Sequence, residues 1–236
     1  MSNLFETVLR KDMDDITEEE VMKEITSGYQ FTQDWFTRHK VLWDTLMDMA
    51  QPRKVLEIGS FEGRCTTYLI EKIGAVAPGE IFCVDMWKGD YQHSNVIKDD
   101  FKNVKERFDH NVELAKKNAP HPVNVLEFVC DSVTGCSQIA AQGIRDFDLV
   151  YVDGSHIASD VFYDAAIAFQ LCKVGGLIIF DDYREDKYLP YIYPKMAIDA
   201  FYKTHENKIK HCDFFNEDEP IPIDKLYQRY FWKLQP

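Results

Sequence analysis

Between residues 53 and 182 the chain alternates between two hydrophobic periods. Short apolar runs of strand length, "KVLEI" (54–58), "EIFCVD" (80–85), "VNVLEFVCD" (123–131), "FDLVYVD" (147–153) and "LIIFDD" (177–182), are each bounded by charged or glycine-bearing turns. Between them lie longer segments with apolar residues three and four apart: "RCTTYLIEKIG" (64–74), "NVELAKKNA" (111–119) and "ASDVFYDAAIAFQLCKVGG" (158–176). The last of these predicts a helix with a Gly-Gly stop. A further helix is predicted at "MAIDAFYKTHE" (196–206), then two strands with no helix between them, "KIKHCDFF" (208–215) and "YQRYFWKL" (227–234). Apolar strands separated by helices predict a parallel sheet with helices on both faces, and the final pair predicts an antiparallel finish. The expected class is α/β, with seven strands.

Residues 1–50 carry a different pattern. "TEEEVMKEI" starts at a plausible N-cap, Thr17, followed by acids that suit a helix N-terminus. "FTQDWFTRHKVLWDTLMDMA" (31–50) spaces Phe31, Trp35, Leu42 and Leu46 as a helix would, and Pro52 ends the region. The division expected is a helical extension at 1–50, serving as packing or as a lid, and one domain at 51–236. The long connection 86–110 is expected to carry a helix of its own.

Composition narrows the partners. Of 236 residues 45% are hydrophobic, enough for a sizeable core, and the formal net charge is −13. That balance disfavours nucleic-acid and anionic membrane surfaces, which require clustered Lys and Arg. No apolar run reaches the length of a transmembrane helix, and the opening "MSNLFETVLRKDMDD" is too polar for a secretory leader. The six cysteines form no Cys-x-x-Cys pair; Cys83, Cys130 and Cys172 sit in apolar runs as small core residues. A reduced, cytoplasmic protein is expected, with the homodimer as one oligomeric option.

Ligands of open parallel sheets bind beyond the carboxyl ends of the strands, and an acid stands after every predicted strand. Glu57 precedes the turn Gly59-Ser60-Phe61-Glu62-Gly63. Asp85 precedes Met86 and Trp87. Asp131 and Ser132 follow strand three, Asp153 and His156 strand four, Asp181 and Asp182 strand five. A dinucleotide fingerprint needs glycine where Phe61 stands, and a phosphate-binding loop needs Lys-Ser/Thr after Gly63, where the chain has Arg64-Cys65. Pyrophosphate ligands therefore lose ground.

Strand–Glu-x-Gly-x-x-x-Gly, the acids ending strands two and three and the helix-less final strand pair resemble the class I S-adenosylmethionine-dependent methyltransferases over about residues 50–236. "YVDGSH" and "GGLIIFDDY" resemble their small-molecule O-methyltransferase branch. The resemblance implies a Rossmann-like, doubly wound, mostly parallel seven-stranded sheet with a C-terminal antiparallel strand. It implies that Glu57, Gly59, Ser60, Phe61 and Gly63 form the turn at the amino-acid end of S-adenosylmethionine, and that Asp85 accepts the ribose hydroxyls. It places Met86 and Trp87 beside the adenine, unless they are core. It gives the adenine edge to Asp131 and Ser132, unless they only cap a helix, and includes Asp153 near the cofactor. Asp153, Asp181 and Asp182 match the ligands of Mg²⁺ or a similar divalent cation, with Asp182 where Asn is usual. His156 stands where the catechol branch has a catalytic lysine; it is either the general base, with Asp153, or a loop residue. Tyr91 and His93 are further pocket candidates. Methyl transfer to a hydroxyl is the leading expectation; N-methylation and a non-catalytic cofactor-binding module remain alternatives.

Overall fold

The structure, a computed structural model, describes residues 27–88, 103–183, 194–212 and 227–236. Its chain forms two compact units. One takes residues up to Gln51 with Phe61–Gly79 and Trp87–Val123; the other takes Pro52–Ser60, Glu80–Met86 and Asn124–Pro236.

The second unit holds a seven-stranded sheet. Its strands are β1 (Lys54–Ile58), β2 (Gly79–Asp85), β3 (Val123–Val129), β4 (Phe147–Val152), β5 (Cys172–Phe180), β6 (Ile209–His211) and β7 (Arg229–Lys233), in the order β3-β2-β1-β4-β5-β7-β6. β1 pairs in parallel with β2 and β4, and β4 with β5, whereas β7 runs antiparallel to both β5 and β6. The mixed α/β class and the antiparallel finish are those expected. β7 lies between β5 and β6, so the last strand enters the sheet ahead of the one before it.

The apolar runs work because both neighbours and both faces of a central strand are covered. Leu56, Ile58, Val150, Val152, Ile178 and Phe180 are buried in one core with residues of three helices. These are α4 (Ser132–Ala141), α5 (Ala158–Leu171) and α6 (Pro194–His205), which contribute Cys136 and Ile139, Ala165 and Phe169, and Ile198 and Phe201. Each large side chain so buried stabilises the fold by roughly 1.5–3 kcal/mol before the entropy of ordering it.

One boundary differs from expectation. The Gly-Gly pair does not stop the helix, which ends at Leu171; β5 starts at Cys172 and contains both glycines. Phe147 pairs with Cys172, but Leu149 pairs with Leu177, so β5 carries extra residues across one step of β4. Gly175 adopts φ +81°, open only to glycine at low cost, and provides the bulge.

The first unit contains α1 (Lys40–Ala50), α2 (Arg64–Gly74) and α3 (Val104–Asn118). The helical spacing of residues 31–50 becomes regular helix only from residue 40, after a 3₁₀ turn at Thr37–His39. Phe36 and Tyr68 pack against the buried Trp43 with centroids 5.0 and 6.0 Å away. Thr17, Tyr91, His93 and most of the 86–110 connection lie outside the described residues. All six cysteines are free thiols, and five of them are buried. No helix among the described residues is long and apolar enough to cross a membrane.

Candidate functional site

The six strand-end acids line one edge of the sheet in spatial order: Asp131 beyond β3, Asp85 at the end of β2, Glu57 in β1, Asp153 after β4, Asp181 and Asp182 after β5. The turn after β1 starts from backbone constraints. Gly59 donates its N–H to Val84 O at 2.9 Å and adopts φ +86°. A Cβ there would lie 2.0 Å from Asp153 O and 2.8 Å from Gly154 Cα. Glycine is required because this turn crosses the backbone of the loop after β4. That crossing ties the turn to the loop bearing Asp153 and His156.

Side chains fix the rest of this stretch. Ser60 N–H donates to Asp85 Oδ2 at 2.8 Å, and Ser60 Oγ donates to the buried Glu57 Oε2 at 2.7 Å. Asp85 thus supports the turn; a carboxylate offers about four acceptor sites. Met86 is exposed. Asp131 is the N-cap of α4, accepting from Thr134 N at 2.9 Å and Thr134 Oγ1 at 2.8 Å, and these bonds hold its carboxyl below the usual range. Ser132 is the first residue of that helix. The capping reading is realised at Asp131.

The remaining turn residues belong to the first unit. Phe61 adopts φ +48°, and Trp87 Nε1–H donates to its carbonyl at 2.8 Å. Trp87 itself is buried, its ring 4.7 Å from that of Phe108. Trp87 therefore acts first as a packing residue that holds the turn. Gly63, φ +80°, is the N-cap of α2. Glu62, which the motif skips, is buried and accepts from Thr32 N at 2.6 Å and Thr32 Oγ1 at 2.8 Å, and pairs with Arg107. Asn111 Nδ2 donates to Glu62 O at 2.9 Å. Residues 27–36 are thereby latched onto the turn.

At the β4 and β5 ends the acids divide into two groups. Asp153, His156 and Asp182 each offer a ligand atom, and these atoms lie within 4.8 Å of one another. His156 Nε2 is 3.0 Å from Asp182 Oδ2. Asp182 adopts φ +55°, uncommon for a residue with a side chain, and such strain persists where surrounding bonds over-determine it. Asp181 faces elsewhere in bonding terms. Its Oδ1 accepts from Asp182 N at 2.8 Å; its Oδ2 accepts from Gln228 Nε2 at 2.7 Å and from the Tyr151 hydroxyl. Tyr151 also bonds Asp153 Oδ2 at 2.9 Å, and Tyr230 OH donates to Gln228 Oε1 at 2.7 Å.

Burial pushes the Asp153 carboxyl well above its usual range, and Asp181 and Asp182 push the same way, against His156 and the Tyr151 hydrogen bond. An uncompensated carboxyl of this kind favours a proton or a cation. Oxygen and imidazole donors at this spacing suit a divalent cation, which Asp153, His156 and Asp182 would hold. The three-acid set expected from sequence is regrouped here: His156 joins the convergent group, and Asp181 supports it through Tyr151 and Gln228. Nothing in the local pattern points to Gln228, which comes from just before β7, and only a weak signal points to Tyr151, two residues before Asp153 on the same strand face.

A family profile described as "Methyltransferase domain" matches residues 56–183, more than half of the chain. No curated protein sequence is matched. Among solved structures, the O-methyltransferase TomG from Streptomyces achromogenes, involved in tomaymycin synthesis and complexed with S-adenosylmethionine, superposes with a TM-score of 0.56 at 16% identity. The match covers 82% of this chain and 78% of that one. An O-methyltransferase from Bacillus cereus bound to S-adenosylhomocysteine gives 0.53 at 16% identity, over 95% and 89%. A cofactor-bound protein from MTB, Rv0187, gives 0.57 at 14% identity, over 92% and 88%. At these identities the structural likeness is one of fold.

Proposed function

Because the chain belongs to the methyltransferase-domain family, we propose that it transfers a methyl group from S-adenosylmethionine to a hydroxyl of a small molecule. The observation that carries this reading is the pairing of His156 with Asp182 at 3.0 Å beside Asp153, on the loop that crosses Gly59. Gly59, Ser60 and Asp85 stand where a nucleoside with an amino-acid tail would lie, and the sheet edge offers acids for its hydroxyls. The cofactor brings an activated methyl group on sulfur. The chain has to align an oxygen with it and take the hydroxyl proton.

His156 takes that proton. Asp182, paired to the ring, orients it and stabilises the imidazolium. Asp153 accepts a hydrogen bond from the acceptor and holds it against the loop. The new C–O bond forms as the C–S bond breaks, and the sulfonium electron pair returns to sulfur. A second reading is favoured by the 4.8 Å convergence: a divalent cation on Asp153, His156 and Asp182 would lower the pKa of a bound hydroxyl.

The test begins with calorimetry of S-adenosylhomocysteine and NAD, followed by a screen of sugars, phenols and hydroxy acids for S-adenosylhomocysteine release. Binding of the thioether with turnover of a hydroxyl acceptor is expected. Binding without turnover of any acceptor would leave a cofactor-binding module, and methylated nitrogen in the product would move the activity to N-methylation. Turnover unaffected by excess chelator removes the cation; turnover unaffected by His156→Ala removes the base.

A further inference from the structure

The backbone of Asp182, φ +55°, is one that side chains rarely adopt, and it is this backbone that carries the carboxylate to His156. Gly, Asn and Asp tolerate the left-handed region best, but it persists only where neighbouring bonds hold it. Here they come from both flanks. On one side Asp181 donates its N–H to Val152 O at 3.0 Å, and its Oδ1 accepts from the Asp182 N–H at 2.8 Å. On the other, Tyr183 donates its N–H to Tyr227 O at 2.8 Å, and the Arg229 guanidinium lies 3.3 Å from the centre of the Tyr183 ring. Phe180 pairs with Arg229 in the antiparallel ladder of β5 and β7. Residues 227–229 thus grip the chain immediately before and immediately after the two acids.

Gln228 stands in the middle of that grip. Its side chain is fully buried, and both ends of the amide are bonded. Nε2 donates to Asp181 Oδ2 at 2.7 Å, and Oε1 accepts from the Tyr230 hydroxyl at 2.7 Å. Tyr230 is two residues further along the strand and so on the same face. Its bond decides which way the amide points. With it made, the amide nitrogen meets the carboxylate; turned over, the amide oxygen would meet another acceptor. Sheet pairing requires none of this, because the ladder between β5 and β7 uses backbone groups. Asp181 passes the constraint on, since the Tyr151 hydroxyl bonds both Asp181 and Asp153.

We propose that Gln228 is a positioning residue for the reacting pair: through Asp181 it holds the left-handed backbone of Asp182, and so keeps the Asp182 carboxylate on the His156 ring. Its catalytic meaning rests on the reading of His156 as the base. Each step is one bond. Gln228 fixes one oxygen of Asp181; the other oxygen fixes the Asp182 N–H; the backbone so held aims Asp182 Oδ2 at His156 Nε2, 3.0 Å away. Without the amide, the Asp181 side chain can rotate and release that N–H. The backbone then relaxes toward the ordinary right-handed region, which swings the Asp182 Cβ and its carboxylate off the ring. With the pairing intact, the neutral ring carries its proton on Nε2 and takes a new one at Nδ1.

The experiment reads the ring bond directly. In nitrogen-15-labelled protein, above the pH at which imidazole titrates, NMR follows exchange of the His156 Nε2–H with water; its signal is the one lost in His156→Gln. Gln228→Leu, similar in volume but without the amide, should speed that exchange about tenfold, the scale of one hydrogen bond to a charged group. Tyr230→Phe lets the amide turn over; it should speed exchange about threefold and serves if the leucine variant does not fold. Tyr183→Phe removes the hydroxyl that donates to Asp199 Oδ1 at 2.8 Å and is the stability control: Tm falls and exchange stays. A packing role alone would lower Tm in all three variants and leave exchange unmoved, or move it in step with Tm in all three; either result overturns the proposal. S-adenosylhomocysteine affinity in Gln228→Leu should stay within about twofold, because β4 and β5 separate β7 from β1. A loss of about tenfold there would mean a general loosening of the sheet edge, and overturns it too. Failure of the unmodified protein to bind S-adenosylhomocysteine overturns the proposed methyl transfer instead, while ring exchange still decides whether Gln228 holds the pair.

Discussion

Gly59→Ala tests whether the cofactor turn and the loop after β4 are one mechanical element. Two penalties combine at that position. The first is conformational: φ +86° is a left-handed backbone that costs a residue with a Cβ about 1–2 kcal/mol. The second is steric: the added carbon would stand 2.0 Å from Asp153 O and 2.5 Å from Asp153 C, which are backbone atoms with no rotamer to escape into. Overpacking of that kind costs about 1–3 kcal/mol through backbone displacement, so a total of roughly 2–5 kcal/mol is expected. Two other glycines separate the terms. Gly143 has φ +74° with nothing within 4 Å of its Cβ position, so Gly143→Ala reports the conformational term. Gly154 lacks a left-handed φ and would meet Ile58 Cγ2 at 3.3 Å, a side-chain end, so Gly154→Ala should cost about 1 kcal/mol or less after the gain from a stiffer unfolded chain. Urea denaturation at unchanged m-value gives all three. Because the displaced atoms belong to Asp153, Gly59→Ala should also weaken S-adenosylhomocysteine and slow turnover. A loss of stability no larger than that of Gly143→Ala would refute the crossing.

Asp164 on α5 is fully buried, and neither carboxylate oxygen has a hydrogen-bond partner among the described residues, so Asp164→Leu should be more stable than the unmodified chain, increasingly so with pH. A carboxyl raised to about 7 when folded keeps its proton from pH 4 to 7 while the unfolded chain releases it, so stability falls over that window by about 4 kcal/mol at most; denaturant titrations at pH 5 and 8 measure it. Tyr151→Phe removes the hydroxyl shared by Asp153 and Asp181 and should cost about 1–3 kcal/mol of stability, with urea midpoints as the readout; a change under ~0.5 kcal/mol would mean the network is not holding the acids. Asp85→Ala removes both the Ser60 partner and the expected ribose acceptor, and should weaken S-adenosylhomocysteine by about 1.5–3 kcal/mol in calorimetry.

Strands β1, β2 and β4 were legible because their apolar runs are short, unbroken and bounded, and a fully buried strand leaves no other reading for that pattern. The start of β5 was not. "CKVGG" reads as a helix ending, and only the pairing of Leu149 with Leu177 rather than with the next residue in step reveals a bulge. The spatial order of the last two strands was equally hidden, since local pattern fixes a strand's existence and not its neighbour. The acids were legible one by one, because an acid after an apolar run is a local signal. Their grouping was not: whether Asp181 or His156 joins Asp153 depends on Gln228, 47 residues beyond Asp181 in sequence. Gly59 shows the same limit. Sequence suggests close approach to a ligand, but the atoms it makes way for belong to Asp153 and Gly154.

This difference explains how one sheet edge sustains so many acids. Like charges at adjacent strand ends repel, and burial strengthens the repulsion by removing water. Each carboxylate here is supplied with donors from another element. Asp85 has the Ser60 N–H, Asp131 the first turn of α4, Asp181 Tyr151 and Gln228, and Asp182 the His156 ring. Asp153, described here with the Tyr151 hydroxyl, is the one whose carboxyl is pushed well upward, and it stands on the loop pinned by Gly59. The backbone is fixed where the carboxyl is most costly to ionise. That combination of rigid placement and unmet demand for positive charge is what a site needs to draw in a proton, a hydroxyl or a cation. It puts the reacting end of the proposed chemistry at Asp153 and His156 rather than at the better-satisfied acids on either side.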